Sequence, residues 1–323
     1  MNATTMFRHA LRASTLAVLT ALGAPVMPAG AQMTRRASID AAALLGDLRT
    51  LAHDSMEGRR TGTPGNERAR RFLDGAFARA GLQPIGTSFR HSFTVTGREG
   101  GSAVDGINFV GRITGTDTTR AIIITAHYDH LGRRGDDVFN GADDNASGVA
   151  ALLALARVFA LERPQHSMVF VALDAEEGGL RGARAFVAQP PVPASTMALN
   201  VNMDMVSRNE KGELWVAGTH HYPLLRPFVE RLADTAPVTL RTGHDVPGTG
   251  SNDWTSQSDH AAFHAAGIPF LYFGVEDHAD YHRATDDIER IEPGFFVRSV
   301  ETILAAVRGL DRELDALVAR RTP

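Results

Sequence analysis

The chain contains the stretch Ala121-Ile122-Ile123-Ile124-Thr125-Ala126-His127-Tyr128-Asp129, a continuous apolar run that ends in an imidazole and a carboxylate. An apolar run of this length predicts a strand buried on both faces, which is typical of parallel sheets covered by helices. Side chains that directly follow such a strand lie at its carboxyl end, where α/β sheets bind ligands. This stretch therefore predicts the fold class and one part of a functional site.

Further apolar runs and helical patterns alternate along the rest of the chain. Three more runs predict strands, at residues 168–173, 197–203 and 268–273, and shorter strands with glycine-rich turns are predicted between 89 and 115. Apolar spacing predicts helices at residues 38–52, 64–80, 147–161, 180–188, 224–235, 258–266 and 295–320. Strands that alternate with helices indicate an α/β fold whose central sheet is mixed but mostly parallel, with helices on both faces.

Composition excludes several classes of protein. The 323 residues are 43% hydrophobic and 22% charged, which is ordinary for a folded chain and too apolar for a disordered one. A net charge of −4 without a dominant basic cluster gives no attraction to nucleic acid. The chain has no cysteine, so it has neither disulfides nor a thiol for lipid attachment.

The N-terminus has the pattern of a secretory signal. Arg8 and Arg12 precede an apolar run over residues 15–27, and Ala29-Gly30-Ala31 is a small-residue cleavage pattern. A retained anchor is the alternative, but the run is shorter than the ~20 residues that a spanning helix needs. We therefore expect a signal peptide over residues 1–31, one domain over 32–323, and export to the periplasm or the medium without a stable membrane anchor.

Acidic and histidine side chains follow each of the four long predicted strands. They are His127 and Asp129 after the first, Asp174-Ala175-Glu176-Glu177 after the second, Asp204 after the third and Tyr281-His282 after the fourth, with Asp143-Asp144-Asn145 directly before a helix. So many carboxylates at one edge of a sheet need a cation, because like charges in a dry site raise one another's pKa. Oxygen and nitrogen donors without thiolate suit zinc, and two His, two Asp and one Glu are the number that two metals sharing one carboxylate require.

These motifs, in this order, resemble a known family over most of the mature chain: the co-catalytic two-zinc aminopeptidases of the bacterial leucyl aminopeptidase type. Relatives of that family include glutamate carboxypeptidases and glutaminyl cyclases. The matching segments are Glu57-Gly58-Arg59, His127-Tyr128-Asp129, Gly141 to Gly148, Asp174 to Gly178, Asn202 to Met205, Ser258-Asp259-His260, Ala266 to Pro269 and Tyr281-His282 with Asp286. The resemblance implies a single zinc-exopeptidase domain that binds two Zn²⁺ ions.

The resemblance also implies which residues hold the two metals. Asp144 is the expected bridge, with Asp143 as the alternative, and a cis peptide bond is expected between Asp144 and Asn145. The other expected ligands are His127 and Asp204 for one metal, and Glu177 and His282 for the other.

The same resemblance assigns the catalytic roles. Glu176 is the expected general base, which takes a proton from the metal-activated water and returns it to the leaving amine. Asp129 is expected to accept the remaining N–H of the His127 ring and so fix its tautomer. Tyr281 is expected to donate a hydrogen bond to the developing oxyanion.

The expected substrates are peptides with a free N-terminus, and a monomer is favoured. A carboxypeptidase or dipeptidase, a glutaminyl cyclase and a non-catalytic binding protein remain alternatives. Carboxypeptidases usually clamp a carboxylate with arginines, and residues 243–280 contain no Arg or Lys, which favours an aminopeptidase. The short segment 88–106 leaves little room for an inserted protease-associated domain. Residues near the predicted site are expected to form its walls: His130, His260, His278 and Trp254, with Asp253 as a candidate partner of the substrate ammonium.

Overall fold

A mixed sheet of nine strands forms the centre of the computed structural model, which describes Met1 and residues 37–96 and 103–319. The predicted signal peptide, apart from Met1, lies outside the described residues. The strands are β1 (Gln83–Pro84), β2 (Arg90–Val95), β3 (Val104–Ile113), β4 (Asp117–His127), β5 (Gly132–Arg134), β6 (Asp137–Phe139), β7 (His166–Leu173), β8 (Met197–Asp204), β9 (Glu213–Ala217), β10 (Thr239–Thr242) and β11 (Phe270–Gly274), of which β5 and β6 form a separate hairpin.

The sheet has a parallel centre and antiparallel neighbours. Its order is β1-β3-β7-β4-β8-β11-β9-β10, with β2 also paired to β3. Strands β7, β4, β8 and β11 run parallel to one another, whereas β3 pairs with β7 and β9 with β11 in the antiparallel sense. These four parallel strands are the four long apolar runs of the sequence, so the predicted α/β fold with a mixed central sheet is confirmed. The parallel part is this centre, and four of the eight strand pairings in the sheet are antiparallel.

Helices cover both faces of the sheet. They are α1 (Ala41–Leu51), α2 (Pro64–Arg79), α3 (Gly148–Leu161), α4 (Arg181–Ala188), α5 (Arg226–Ala233), α6 (His260–Ala265) and α7 (Pro293–Ala319). Their starts follow helix-capping chemistry: the side chain of Asp40 accepts a hydrogen bond from the N–H of Ala43, and Pro64 occupies the first turn of α2. Each predicted helix is present, with ends that differ by a few residues.

Alternate side chains of the strands pack into two separate apolar layers. Ile122 and Ile124 of β4 face the larger layer, which is completed by α1, α2, α3, α5 and α7. Ile123 faces the smaller layer with Phe186 of α4 and Phe263 of α6. The two-residue period of a strand thus places one row of side chains in each layer.

One helical run in the described part of the chain has the length and hydropathy of a membrane span. This run, Ala142–Leu161, has a mean hydropathy of 1.4, and 83% of it is buried inside the fold. It includes α3, whose apolar residues pack in the larger layer. A helix that is apolar all round is the pattern expected of a core helix in a large α/β domain.

Candidate metal centre

The parallel strands bring the predicted site residues to one edge of the sheet. His127 is the last residue of β4 and Asp204 the last of β8. Glu176 and Glu177 follow β7, and Tyr281 and His282 follow β11. Because these strands are parallel, their carboxyl ends lie side by side.

One set of donor atoms surrounds the imidazole of His127. Its Nε2 lies 3.4 Å from Oδ1 of Asp144 and 3.3 Å from Oδ1 of Asp204. All three residues are buried. These are the three residues predicted to hold the first metal.

A second set of donor atoms surrounds the other oxygen of Asp144. Nε2 of His282 lies 3.1 Å from Oδ2 of Asp144 and 3.4 Å from Oε2 of Glu177. The ring of His130 is also here, with Nδ1 2.7 Å from Oε1 of Glu177 and 3.8 Å from Oδ2 of Asp144. Asp144 therefore faces two separate groups of donors, one with each carboxylate oxygen, which is the geometry of a bridge.

The two sets of donors fit zinc. Ligand atoms at 2.0–2.1 Å from a tetrahedral zinc are about 3.3 Å apart, close to the separations at His127 and His282. Oε1 of Glu177 and both ring nitrogens of His130 are buried, and the 2.7 Å contact between Oε1 and Nδ1 does not have the geometry of a hydrogen bond. Burial lowers the pKa of His130 to about 3, so its ring is neutral and has a lone pair for a cation. His130, expected as a wall of the site, thus lies among the donors themselves.

Backbone hydrogen bonds fix the position of Asp144. The carboxylate of Asp286 accepts the N–H groups of Asp143 and Asp144, both at 3.0 Å. The peptide bond between Asp144 and Asn145 is cis, as the resemblance implies. Asp143, the alternative bridge, accepts both the N–H and the hydroxyl of Ser207 at 2.7 Å. The carboxylate of Asp143 is thus engaged with Ser207, whereas that of Asp144 lies among the donor sets.

Asp129 supports the site in a different way from the predicted one. The Nδ1 atom of His127 lies 3.1 Å from the backbone carbonyl of Asp129 but 3.7 Å from its carboxylate. That carboxylate instead accepts the N–H of Glu176 at 3.0 Å. The expected carboxylate partner is thus replaced by a carbonyl, which fixes the same tautomer of His127, while the side chain of Asp129 positions the loop that carries Glu176.

A chain of buried hydrogen bonds leads from the sheet to Asp204. Thr125 donates to Asn202 at 2.6 Å, Asn202 donates to Ser258 at 2.9 Å, and Ser258 donates to Oδ2 of Asp204 at 2.7 Å. Burial acts to raise the pKa of Asp204, but His127 and the Ser258 hydroxyl outweigh it and lower that pKa. Asp204 is therefore held as an anion with Oδ1 left for a cation.

Asp259 is a buried acid to which the sequence assigned no role. Neither of its carboxylate oxygens has a hydrogen-bond partner among the described residues. Burial, reinforced by the nearby charge of Asp204, raises the pKa of Asp259 to about 7. It adds to the excess of negative charge that a cation at this site would relieve.

Arg59 connects the loops that carry the ligands. Its side chain is fully buried and donates to the carbonyls of Leu51, Tyr128 and Asn140 at 2.6–2.8 Å, and to that of Gly141 at 3.1 Å. Burial lowers the pKa of Arg59 to about 10, and the carboxylates of the site act in the opposite direction. Tyr128 follows His127 directly, so a single side chain holds both the β4 loop and the segment before Asp144.

Glu176 lies beside the donors, at the wall of a cavity of about 370 Å³. Its Oε2 is 4.0 Å from Nε2 of His127, and burial raises its pKa well above the usual value. Tyr281 and Trp254 line the same cavity, as expected. Asp253 is not among its lining residues, and its carboxylate accepts the N–H of Thr255 at 3.1 Å.

Left-handed backbone conformations occur at several non-glycine residues around the site. Ala175, which precedes Glu176, has φ 59°, and Met205, which follows Asp204, has φ 57°. His282 itself has φ 57°. Such residues are uncommon and cluster at functional sites, where surrounding contacts hold them in place.

Two charged residues that the sequence did not single out also line the cavity: Arg184 of α4 and Asp277. Burial raises the pKa of Asp277. The cavity thus contains an arginine opposite in charge to its many acids. Neither residue belongs to a motif. The only indication in the sequence is that Arg184 follows β7 and Asp277 follows β11, two strands that end at the site.

The fold and the donor sets together define a class of protein: an α/β domain of the zinc-exopeptidase type, with its ligands at the carboxyl ends of parallel strands. The chain belongs to Peptidase family M28, whose family model matches residues 108–307.

Curated relatives and solved structures agree with this membership. The chain is 30% identical over 195 residues to a probable zinc metalloprotease of Pyrenophora tritici-repentis, a match that covers 51% of this chain and 44% of that protein. It is 29% identical over 197 residues to aminopeptidase YwaD of Bacillus subtilis, covering 58% and 40%. The chain thus spans less than half of the length of these relatives. Porphyromonas gingivalis glutaminyl cyclase shares the fold, with a TM-score of 0.69 at 17% identity over 83% of this chain and 98% of that one.

Proposed function

We propose that this protein is an exported zinc aminopeptidase that hydrolyses the first peptide bond of peptides with a free N-terminus. The observation that carries the proposal is the geometry of Asp144, whose two oxygens face His127 and His282 separately. Two zinc ions bridged by Asp144 fit that arrangement. The relatives described above include both an aminopeptidase and a probable zinc metalloprotease, which supports the same class of reaction.

Zinc, when bound, supplies Lewis acidity: it polarises a carbonyl and lowers the pKa of water to about 7. Glu176 is the proposed general base, because its carboxylate borders both the donors and the cavity. It takes a proton from the attacking water and gives it to the nitrogen of the leaving amine as the peptide bond breaks. A carboxylate that burial makes basic is suited to both steps.

The remaining cavity residues position the substrate. Tyr281 stacks on the ring of His282 at a centroid distance of 3.9 Å, and its hydroxyl is the proposed donor to the oxyanion. The carboxylate of Asp277 lines the cavity and is available to the substrate ammonium group. Trp254 supplies an apolar wall, held by stacking on His244 at 3.8 Å.

The test measures metal content and substrate preference together. Mature protein from Gln32 onward is analysed for zinc and assayed on aminoacyl p-nitroanilides, unblocked peptides and N-blocked peptides. We expect two zinc ions per chain and cleavage of unblocked substrates only. In Glu176→Gln, kcat is expected to fall by about 10²–10⁴-fold with both zinc ions retained, whereas Glu210→Gln, an exposed acid far along the β8–β9 loop, keeps full activity.

Other outcomes assign other functions. Removal of C-terminal residues from N-blocked peptides would identify a carboxypeptidase. One zinc per chain with cyclisation of N-terminal glutamine would identify a glutaminyl cyclase. Zinc-loaded protein without turnover on any of these substrates would indicate a binding protein.

A further inference from the structure

Arg184 is the one arginine or lysine that lines the cavity of the metal centre in the described part of the chain. Five acids line the same cavity: Asp144, Glu176, Glu177, Asp204 and Asp277. An isolated arginine among so many carboxylates would be expected to pair with one of them if it served the fold. The hydrogen bonds and ion pairs of Arg184 therefore indicate whether its side chain is free to bind a ligand.

Arg184 has no such partner. Its side chain is exposed and makes no hydrogen bond or ion pair to any residue within 37–96 or 103–319. Two other arginines do have partners. Arg181 donates to the carbonyl of Gly178 and the hydroxyl of Thr96, both at 3.0 Å, and Arg208 pairs with Asp280 at 2.5 Å. Arg184 is thus a guanidinium whose donors are all available to a ligand.

Arg184 borders two spaces of the molecule. It lies in α4, Leu180 directly precedes that helix, and both residues line the metal-centre cavity. Both also line a second, apolar groove between α4 and α6, beside Ala262 and Ala265. A peptide that extends from the metals towards this groove passes the guanidinium.

We propose that Arg184 binds the C-terminal carboxylate of a dipeptide or tripeptide whose free N-terminus lies at the metal centre, so that short peptides are the preferred substrates. This inference rests on the function proposed above. A guanidinium fork matches a carboxylate with two parallel hydrogen bonds. Arg184 and the metal donors line the same cavity of about 370 Å³, so a peptide that reaches both is short, and two or three extended residues span about 7–11 Å. Asp277 lines the same cavity, and its carboxylate suits the ammonium group at the other end of the peptide.

The test compares free C-termini with amidated ones. The N-terminal residue X that is cleaved fastest as a p-nitroanilide is placed in X-Gly, X-Gly-Gly and their C-terminal amides, and kcat/KM is measured for each. The wild-type protein is expected to prefer the free acid by about tenfold or more, as charge-assisted hydrogen bonds do. In Arg184→Gln the ratio of kcat/KM for the free acid to kcat/KM for the amide is expected to fall to about one, because KM for the free acid rises. In Arg184→Lys this ratio is expected to take an intermediate value. Arg181→Gln, the matched control on the same helix, keeps the wild-type ratio.

The outcomes distinguish the role of Arg184 from the proposed aminopeptidase activity. Equal kcat/KM for acid and amide in the wild-type protein overturns the inference, while cleavage of p-nitroanilides, which lack a carboxylate, keeps the aminopeptidase. X-Glu-amide and X-Gln-amide test for recognition of an acidic side chain. The role of the C-terminus is overturned if X-Glu-amide is preferred as strongly as X-Gly is over its own amide, and if this preference disappears in Arg184→Gln. No cleavage of any p-nitroanilide or peptide overturns both.

Discussion

Replacement of Arg59 by methionine tests whether one buried guanidinium holds the two ligand-bearing loops together. Methionine has a similar length and no hydrogen-bond donor. The carbonyl of Gly141 keeps a second donor, the N–H of Ala146 at 3.1 Å. The carbonyls of Leu51, Tyr128 and Asn140 lose the donor that Arg59 supplies.

The expected loss of stability follows from these three acceptors. A buried carbonyl left without a partner costs about 1–3 kcal/mol, which gives about 3–9 kcal/mol for three. Removal of a desolvated cation returns part of this amount. We therefore expect the free energy of unfolding to fall by about 3–5 kcal/mol in Arg59→Met, a large share of the 5–15 kcal/mol of an ordinary domain.

The measurement is urea unfolding of zinc-free protein at low temperature, followed by the fluorescence of Trp215 and Trp254. Arg68→Met is the control, because Arg68 is partly exposed and pairs with Glu57 at 2.7 Å, and its loss is expected to cost below about 1 kcal/mol. Arg59→Lys, which keeps a charge with three donors, is expected to lie between the two. A value for Arg59→Met within 1 kcal/mol of the wild type would show that the reasoning is wrong.

Two further predictions concern the acids. The pKa of Asp259 is about 7 in the fold against its ordinary 3.8, so between these pH values the folded state holds a proton that the unfolded chain has released, and stability falls as pH rises. Three pKa units correspond to at most about 4 kcal/mol. We expect the free energy of unfolding of the zinc-free protein to decline between pH 4 and pH 8, and to decline by about 2 kcal/mol less in Asp259→Asn. If urea titrations show the same dependence of this free energy on pH in both proteins, the prediction is refuted. For the bridge, we expect Asp144→Ala to bind less than one zinc per chain and His282→Ala about one, by elemental analysis after dialysis; two zinc ions in Asp144→Ala would exclude bridging.

The sequence predicted those parts of the site that are determined locally. His127, Glu176, Asp204 and His282 each follow a long apolar run, and the rule that parallel strands end at one edge is sufficient to bring them together. Two short strands at one end of the sheet were missed: β9 has five residues and β10 has four, too few for a clear period.

Residues whose role depends on distant packing were beyond sequence reasoning. Arg59 belongs to a glycine-rich loop, and nothing local indicates that four carbonyls from other segments surround its side chain. Arg184 is one of two arginines in the short helix α4, and the packing of Ala183 and Phe186 in the smaller layer determines which way its side chain turns. At Asp129, a difference of 0.6 Å between two acceptor distances, 3.1 and 3.7 Å, decides whether carbonyl or carboxylate meets His127.

The spread of the donors along the chain has a consequence for the order of folding. His127 belongs to the first of the parallel strands in sequence, and His282 follows the last, so Asp144 meets both only after β11 has paired with β8 and β8 with β4. Such contacts between distant segments form late, because the loops between them must close first. In the proposed two-zinc site, the metal held by Asp144 and His282 therefore binds only once β11 has joined β8, and separation of these two strands would release it before the metal of His127.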